Sequence, residues 1–367
     1  MIKEAFKKFY NNKKVFVTGH TGFKGAWLSL WLIEMGAKVT GYSLEPPTHP
    51  SLFEVLKLSS RMDHRIGDVR NEKLLFDVMN EVKPDIVFHL AAQALVRASY
   101  QKPKETYETN VIGTVNLLES IRKIPEVKAV VIITSDKCYE NREWIYGYRE
   151  CDPMGGFDPY SSSKGCAELV VAAYRNSFFN SSKKDCKALL ASVRAGNVIG
   201  GGDWAEDRLI PDCAKALSMD KAVIIRNPLS IRPWQHVLEP LSGYLWLGRL
   251  LYLREKDTDS AWNFGPNDED IMTVESVVKK VIRAWGRGEY RVQKKDNLHE
   301  AGLLKLDISK AHHHLYWKPV LPVEEAIEWT VQWYRRYYDG KPMMDFTIRQ
   351  IEEYIKRAKE NKIKWSL

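Results

Sequence analysis

The 367-residue sequence contains no run of 18 consecutive apolar residues, which excludes a hydropathy-defined membrane-spanning helix and predicts no membrane partner. Its first residues, "MIKEAFKKFYNNKK", lack an apolar core and are too charged for a secretory signal, so a cytoplasmic location is expected. Cysteine is sparse and odd in number. Cys138, Cys151, Cys166, Cys186 and Cys213 show no CxxC spacing, which argues against a disulfide framework or a zinc site and predicts reduced thiols. No nucleic-acid-binding motif accompanies the formal charge of +8, whose lysines and arginines are dispersed among 47 acidic residues. That charge predicts a solvated basic surface or a phosphate-bearing small substrate, and no nucleic acid. "HHH" at 312 to 314 lacks a paired carboxylate motif, and consecutive helical residues diverge, so no metal is predicted. Internal repeats, low-complexity tracts and long linkers are absent as well.

What is present is an alternation. With 44% hydrophobic and 28% charged residues the chain can bury a sizeable core. "KVFVTG" (14 to 19) reads as a strand, "GAWLSLWLIEMG" (25 to 36) as a helix, and "KVTGYSL" (38 to 44) as a second strand. Further strands are predicted over 63 to 68, 85 to 92, 128 to 135 and 187 to 194, with helices around 71 to 82, 104 to 122 and 160 to 178. This pattern predicts an α/β fold with a Rossmann-type, doubly wound parallel sheet. After about residue 195 it loosens into turns, short strands and amphipathic helices over 274 to 285 and 323 to 338. The expected organisation is a dinucleotide-binding domain over 1–194, open to recruiting later strands, and a smaller, mainly substrate-binding domain over 195–367.

"TGHTGFKG" places Gly19, Gly22 and Gly25 at GxxGxxG spacing between a strand and a helix, with Phe23 inside the turn. Glycines there permit a tight turn and let backbone N–H groups approach a pyrophosphate at a helix N-terminus. Ser43 stands where many such folds carry an acidic residue for the adenosine ribose. Serine can bond a 2′-hydroxyl and does not repel a 2′-phosphate, so the motif alone leaves NAD and NADP open. No arginine pair follows, which favours NAD. Asp68 and Val69, at the end of the third predicted strand, are candidates for the adenine edge, and "LAAQ" with Ala91, Ala92 and Gln93 for the cofactor's middle.

"YSSSK" runs from Tyr160 to Lys164 at a predicted helix start. Residues four apart share a helix face, so the ammonium of Lys164 can stand near the phenol of Tyr160 and lower its pKa from about 10, providing a base. The apolar run "AVVIITSDKCYEN" ends by presenting Ser135, Asp136 and Lys137 at the sheet's carboxyl edge, where ligands lie in open α/β sheets.

Taken together, "TGHTGFKG", "LAAQ", the strand ending in Ser135 and "YSSSK" resemble the extended short-chain dehydrogenase/reductase family, in its nucleotide-sugar-modifying branch. The resemblance implies that Ser135 bonds the sugar 4-hydroxyl, Tyr160 removes its proton, Lys164 binds the nicotinamide ribose, and hydride passes from C4 to NAD. "RAGNVIGGGDWAEDRLIPD", "RNPLSIRPWQHV" and "HEAGLLKLD" are similar to the CDP-glucose-dehydrating members, and the similarity runs from about residue 10 to 340. It implies substrate contacts by Asn197, Arg208, Leu209, Arg232 and His299, with Arg232 neutralising the diphosphate. TDP- and UDP-sugar relatives carry an arginine shortly after the position of His299 and Asp-Glu at the position of Asp136-Lys137; both departures here resemble the CDP-glucose branch.

The implied activity is a hydro-lyase: C4 oxidation of CDP-D-glucose, loss of water across C5 and C6, and hydride return to C6. The resemblance further implies a role in deoxysugar synthesis for surface polysaccharide, including lipopolysaccharide O-antigen. It implies a homodimer, or a higher assembly, built on the helices around 104 to 122 and 160 to 178. Asp136 and Lys137 are expected to serve elimination, one taking the C5 proton and the other protonating the C6 hydroxyl, with their individual roles open. A 4-epimerase would share Ser135, Tyr160 and Lys164 without needing that pair. A non-catalytic dinucleotide-binding regulator would need none of them.

Overall fold

Short β-branched and apolar segments with a side-chain period of two form one sheet whose two faces are both covered. The structure is a computed structural model describing residues 2–180, 185–293 and 302–367. Strands β1 (Lys14–Thr18), β2 (Lys38–Ser43), β3 (Asp63–Ile66), β4 (Ile86–His89), β5 (Ala129–Ile133), β6 (Leu189–Ala195) and β7 (Ala261–Phe264) pair in the order β7-β6-β5-β4-β1-β2-β3. Every pairing is parallel. β1 lies between β2 and β4, so successive connections leave it in opposite directions, and a crevice opens above its carboxyl end.

The helices that matter for the site are α1 (Phe23–Glu34), α2 (Glu72–Val82), α3 (Gly113–Lys123), α4 (Pro159–Ser177), α5 (Leu209–Ser218), α6 (Leu238–Tyr252), α7 (Val274–Trp285), α8 (Val323–Tyr338) and α9 (Met344–Glu360). Val15, Val17, Val131, Ile133, Ala191 and Val193 face one side of the sheet and join a core with residues of α1, α6, α8 and α9. Phe16, Val87, Val130, Ile132 and Leu190 face the other, against residues of α2, α3 and α4. The first core runs unbroken into the second half of the chain. Trp27 of α1 donates its indole N–H to the carbonyl of Gly201 at 2.9 Å, and Tyr10 its hydroxyl to that of Leu245 at 2.5 Å.

The doubly wound sheet expected from the alternation is present, and α7 and α8 coincide with the predicted spans. The sheet takes its seventh strand from Ala261–Phe264, a recruitment from beyond residue 195 that the expected organisation left open. Two features differ from expectation. β3 ends at Ile66, which puts Asp68 and Val69 in the loop beyond it. The helix expected over 104 to 122 is Pro103–Tyr107, a π-helical turn Glu108–Ile112, and then α3.

Candidate active site

The turn between β1 and α1 is shaped by its glycines. Gly19 has φ +73°, and a Cβ there would lie 2.6 Å from the backbone nitrogen of Ala91; one on Gly25 would lie 2.1 Å from the carbonyl oxygen of Gly19. These two serve the turn and the close approach of helix to strand. Gly22 differs, because its Cβ would meet only the Gly19 carbonyl oxygen, at 3.4 Å, an ordinary contact. The protein therefore leaves the space beside Gly22, at the start of α1, for something else, as a cradle for a pyrophosphate requires.

Ser43 ends β2 and is buried. Thr21 donates its one hydroxyl proton to the carbonyl of Leu44 at 3.0 Å, so the 2.9 Å contact between Thr21 and Ser43 must use the Ser43 proton. Ser43 is left with lone pairs alone, so toward a ribose hydroxyl it could serve only as a neutral acceptor. The chain beyond β3 is held by Tyr42, whose hydroxyl donates to the Asp68 carbonyl at 3.0 Å, and by Asn116, whose amide donates to that of Val69 at 3.0 Å. The Asp68 carboxylate itself is engaged by the Arg70 guanidinium at 2.8 Å. Beyond β4, Gln93 donates its backbone N–H to Asn110 at 2.8 Å, and the Asn110 amide returns a bond to the Gln93 carbonyl at 3.1 Å and donates to Ser163 at 2.8 Å. One buried asparagine thus ties the loop carrying Ala91, Ala92 and Gln93 to the helix carrying Tyr160. Turn, ribose acceptor and loop fit a dinucleotide laid across the crevice.

α4 begins with Asp158 as its N-cap, accepting from the backbone of Ser161 at 2.9 Å, and with Pro159 in the first turn. This start brings Tyr160 and Lys164 to the end of β5. A Cβ on Gly165 would lie 3.2 Å from the Cys138 carbonyl oxygen, so the missing side chain lets α4 rest on the turn Asp136–Cys138. Ser135 caps that turn, accepting from the Lys137 N–H at 3.3 Å and donating to Asp136 Oδ1 at 2.9 Å. Asp136 is 3% exposed, and its Oδ2 has no hydrogen-bond partner. Burial pushes its carboxyl above the usual range, against the opposing pull of Lys137, Ser135, Lys24 and Arg232.

Burial raises the Tyr160 phenol to about 12, opposed by the Ser135 hydroxyl and the Arg208 charge. The protein alone therefore does not produce the lowered tyrosine pKa expected from the YSSSK spacing, because desolvation of the phenolate is the larger effect. Burial also lowers Lys164 to about 8, with Glu168 and Cys138 opposing.

Of the residues expected to contact substrate, Asn197 opens the short strand Asn197–Ile199, paired with Trp234–His236, and Arg208 is the N-cap residue before Leu209 of α5. Arg208 Nη1 bonds Asp203 Oδ2 at 2.6 Å, and its charge acts on both Tyr160 and Lys24. Arg232 acts on Asp136 and donates to the Ile231 carbonyl at 2.9 Å. His299 lies outside the described residues.

Two residues of the site escaped sequence reasoning. Lys24, in the first turn of α1, is lowered to about 8 by burial, with Arg208 and Lys164 adding to the effect and Asp136 and Asp203 opposing it. A signal existed, since a cation at a helix N-terminus opposes the dipole and calls for another reason to be there. Asn110 is the other, a polar residue in a segment read as helix. No disulfide joins the five cysteines, and no cluster of three metal-ligating side chains occurs among the described residues. No helix among them is long and apolar enough to cross a membrane.

A family model described as GDP-mannose 4,6 dehydratase matches residues 16–330. A CDP-glucose 4,6-dehydratase of Salmonella typhimurium is 55% identical over 351 residues, covering 95% of this chain and 98% of that protein. Among solved structures, a UDP-glucose 4-epimerase of Thermotoga maritima superposes with a TM-score of 0.77 at 22% identity, covering 88% of this chain and 99% of that one. A dTDP-glucose 4,6-dehydratase of Bacillus anthracis, solved with NAD, gives a TM-score of 0.73 at 22% identity over 90% and 98%. The two structures share the fold described above, while the family match spans both the Gly-rich turn and the substrate-side segments. The chain belongs to the GDP-mannose 4,6 dehydratase family, within the extended short-chain dehydrogenases/reductases.

Proposed function

We propose that this chain is an NAD-dependent hydro-lyase that converts CDP-D-glucose to CDP-4-dehydro-6-deoxy-D-glucose and water. The observation that carries this reading is the buried, unpartnered Asp136 Oδ2 in the same turn as Ser135 and Lys137, against the helix of Tyr160 and Lys164. A 4-epimerase has no use for a buried carboxyl with a raised pKa beside its C4 machinery. The high identity to a CDP-glucose 4,6-dehydratase supports the same conclusion.

NAD, when bound, would supply the acceptor for the C4 hydrogen and the source of its return at C6, which makes the overall reaction redox-neutral. Gly22 and the first turn of α1 would hold its pyrophosphate, Ser43 its adenosine ribose and Lys164 its nicotinamide ribose. Ser135 orients the sugar 4-hydroxyl and Tyr160 takes its proton. The Tyr160 proton is released more readily once cationic charge reaches the site, since burial is what holds it. The resulting 4-ketone acidifies C5–H. Burial equips Asp136 to protonate the departing C6 hydroxyl, leaving Lys137 to assist at C5 directly, through water, or by polarising the ketone. Asn197, Arg208, Leu209 and Arg232 bind the nucleotide and diphosphate, Arg232 through paired charge-assisted bonds.

The product feeds deoxysugar synthesis for surface polysaccharide of the lipopolysaccharide O-antigen type, in the cytoplasm. A homodimer forms through α3 and α4, supported by Leu169 on α4, 60% exposed, and Ile112 just before α3, 49% exposed. Incubation with CDP-, TDP-, UDP- and GDP-glucose tests the activity: a 4-keto product from CDP-glucose is expected. Equal turnover of TDP- or UDP-glucose overturns the base assignment, and no 4-keto product from any of the four overturns the function. A monomeric mass by light scattering at micromolar concentration overturns the dimer.

A further inference from the structure

Glu168 stands one helical turn beyond Lys164 on α4, with its side chain 3% exposed. It accepts from the Thr134 hydroxyl, from Ser192 at 2.7 Å and from Arg194 Nη2 at 2.8 Å. Thr134 is the residue before Ser135, and its own N–H donates to the Val193 carbonyl at 2.9 Å. One carboxylate therefore joins the helix of Tyr160 and Lys164 to the end of β5 and to β6. Arg194, also buried, extends the connection: its Nη1 donates to the Tyr139 hydroxyl at 2.6 Å, and its guanidinium lies 4.9 Å from the centre of that ring.

Tyr139 follows the turn Asp136–Cys138, and with its oxygen accepting from Arg194 its proton is free for Asn263 Oδ1, at 2.8 Å. Asn263, on β7, donates its amide to the carbonyls of Tyr148 and Asp307 at 2.8 and 3.1 Å. Tyr148 then pairs through its backbone with the residues on either side of Leu306, in the segment 302–307, donating to Lys305 at 3.0 Å and accepting from Asp307 at 2.9 Å. The near end of that segment, Gly302, accepts from the backbone of Ile231, the neighbour of Arg232, at 2.9 Å.

We propose that Glu168, Arg194, Tyr139 and Asn263 are positioning residues, a continuous buried run of hydrogen bonds that holds the substrate-side segment 302–307 in register with Ser135 and with the helix of Tyr160 and Lys164. The proposal deepens the dehydratase reading and rests on it. Such a run carries no charge to the substrate. Its effect is to keep groups supplied by four separate parts of the fold at reacting distance, where a misplacement of about 1 Å costs on the order of 100-fold. Glu168 has a second effect, on the Lys164 ammonium. The groups acting on Lys164 are Glu168 from its own helix, Cys138 from the adjoining turn, His89 from β4 and Lys24 from α1, and Glu168 leads those that favour the charged form.

The test uses the full chain. Tyr139→Phe deletes one hydroxyl and keeps the ring against Arg194, so it cuts the run without leaving a buried charge unpaired. Amide exchange at Tyr148 and Asp307 is expected to quicken at least about tenfold, and kcat to fall by about tenfold or more, with NAD affinity within about twofold of native. Glu168→Gln is expected to move the alkaline limb of the pH profile for C4 oxidation downward by at least about half a pH unit, and Glu168→Asp to restore it, an effect that a packing role alone does not produce. Native exchange in Tyr139→Phe overturns the proposal. So does faster exchange accompanied by native kcat, KM and pH profile. If the native protein turns over no nucleotide sugar, the dehydratase reading falls, and the exchange measurement still decides whether the run holds the segment.

Discussion

Ser135 donates to one oxygen of the Asp136 carboxyl at 2.9 Å and leaves the other oxygen buried without a partner. Burial favours the protonated carboxyl against the opposing pull of that bond, and its open oxygen is the one able to deliver a proton. Asp136→Asn and Lys137→Ala are each expected to lower dehydration by at least about 100-fold, the usual size of acid/base effects. C4 oxidation should survive in both, seen as reduced-nicotinamide absorbance accumulating with CDP-glucose in a single turnover. A native dehydration rate in either variant removes that residue from the elimination step. Loss of C4 oxidation in both variants, while each stays folded and binds substrate, would mean that the two pairs do not act separately.

The glycines of the first turn should separate cleanly. Gly22 has φ −77°, a conformation open to any residue, so Gly22→Ala is expected to fold with native or slightly higher stability, by about 0.4 to 1 kcal/mol. Its methyl group would occupy the space a pyrophosphate needs, and calorimetry should show NAD binding weakened by at least about tenfold. Gly25→Ala drives a methyl into the Gly19 carbonyl and should lower the melting temperature itself.

Because Ser43 is a neutral acceptor, Ser43→Asp is expected to tighten NAD by about 1.5 to 3 kcal/mol through a charge-assisted bond to the ribose. The native enzyme should accordingly lose NAD more readily during purification than relatives with an acidic residue there. Preference of the native protein for NADP in the same titration would reject the assignment.

Glu239 supplies a prediction about stability. It is fully buried on α6, accepts from the backbones of Val320 and Leu321 at 3.0 and 2.7 Å and from the Tyr354 hydroxyl at 2.8 Å, and is raised from 4.5 to about 7 chiefly by burial. A carboxyl whose folded pKa exceeds its unfolded value favours the folded state fully below the unfolded pKa. That contribution fades as pH rises through the folded one. Denaturant titrations between pH 5 and 8 should show a loss from this group on the order of 3 kcal/mol, absent in Glu239→Gln.

The legibility of the sequence varied with how each residue meets water. α7 and α8 present one apolar stripe each, and the period of 3.6 located them. In α6 every residue except Arg249 and Tyr252 is buried, so no polar face marks the period and the pattern specifies no helix there. β7 is four residues long and lies far along the chain from its partner β6, which leaves no local mark of its pairing. The site divides in the same way. Ser135, Tyr160, Lys164 and the glycines stand in spacings that chemistry imposes along the chain. Lys24 and Asn110 enter through contacts across space, and no spacing encodes those.

The π-helical turn before α3 has a consequence for insertions and deletions. Asn110 sits within Glu108–Ile112, where the wider turn lets its amide face Gln93 on one side and Ser163 on the other. Deleting one residue from this stretch would restore a regular α-helix and improve the local backbone geometry. Because the wider turn takes up one extra residue, the flanking helical segments would keep their facing, but the asparagine would lose the place from which it reaches both partners. Length is thus under constraint here independently of composition. A chain one residue shorter would gain a straighter helix and would lose the link between the loop under the cofactor and the helix that carries Tyr160.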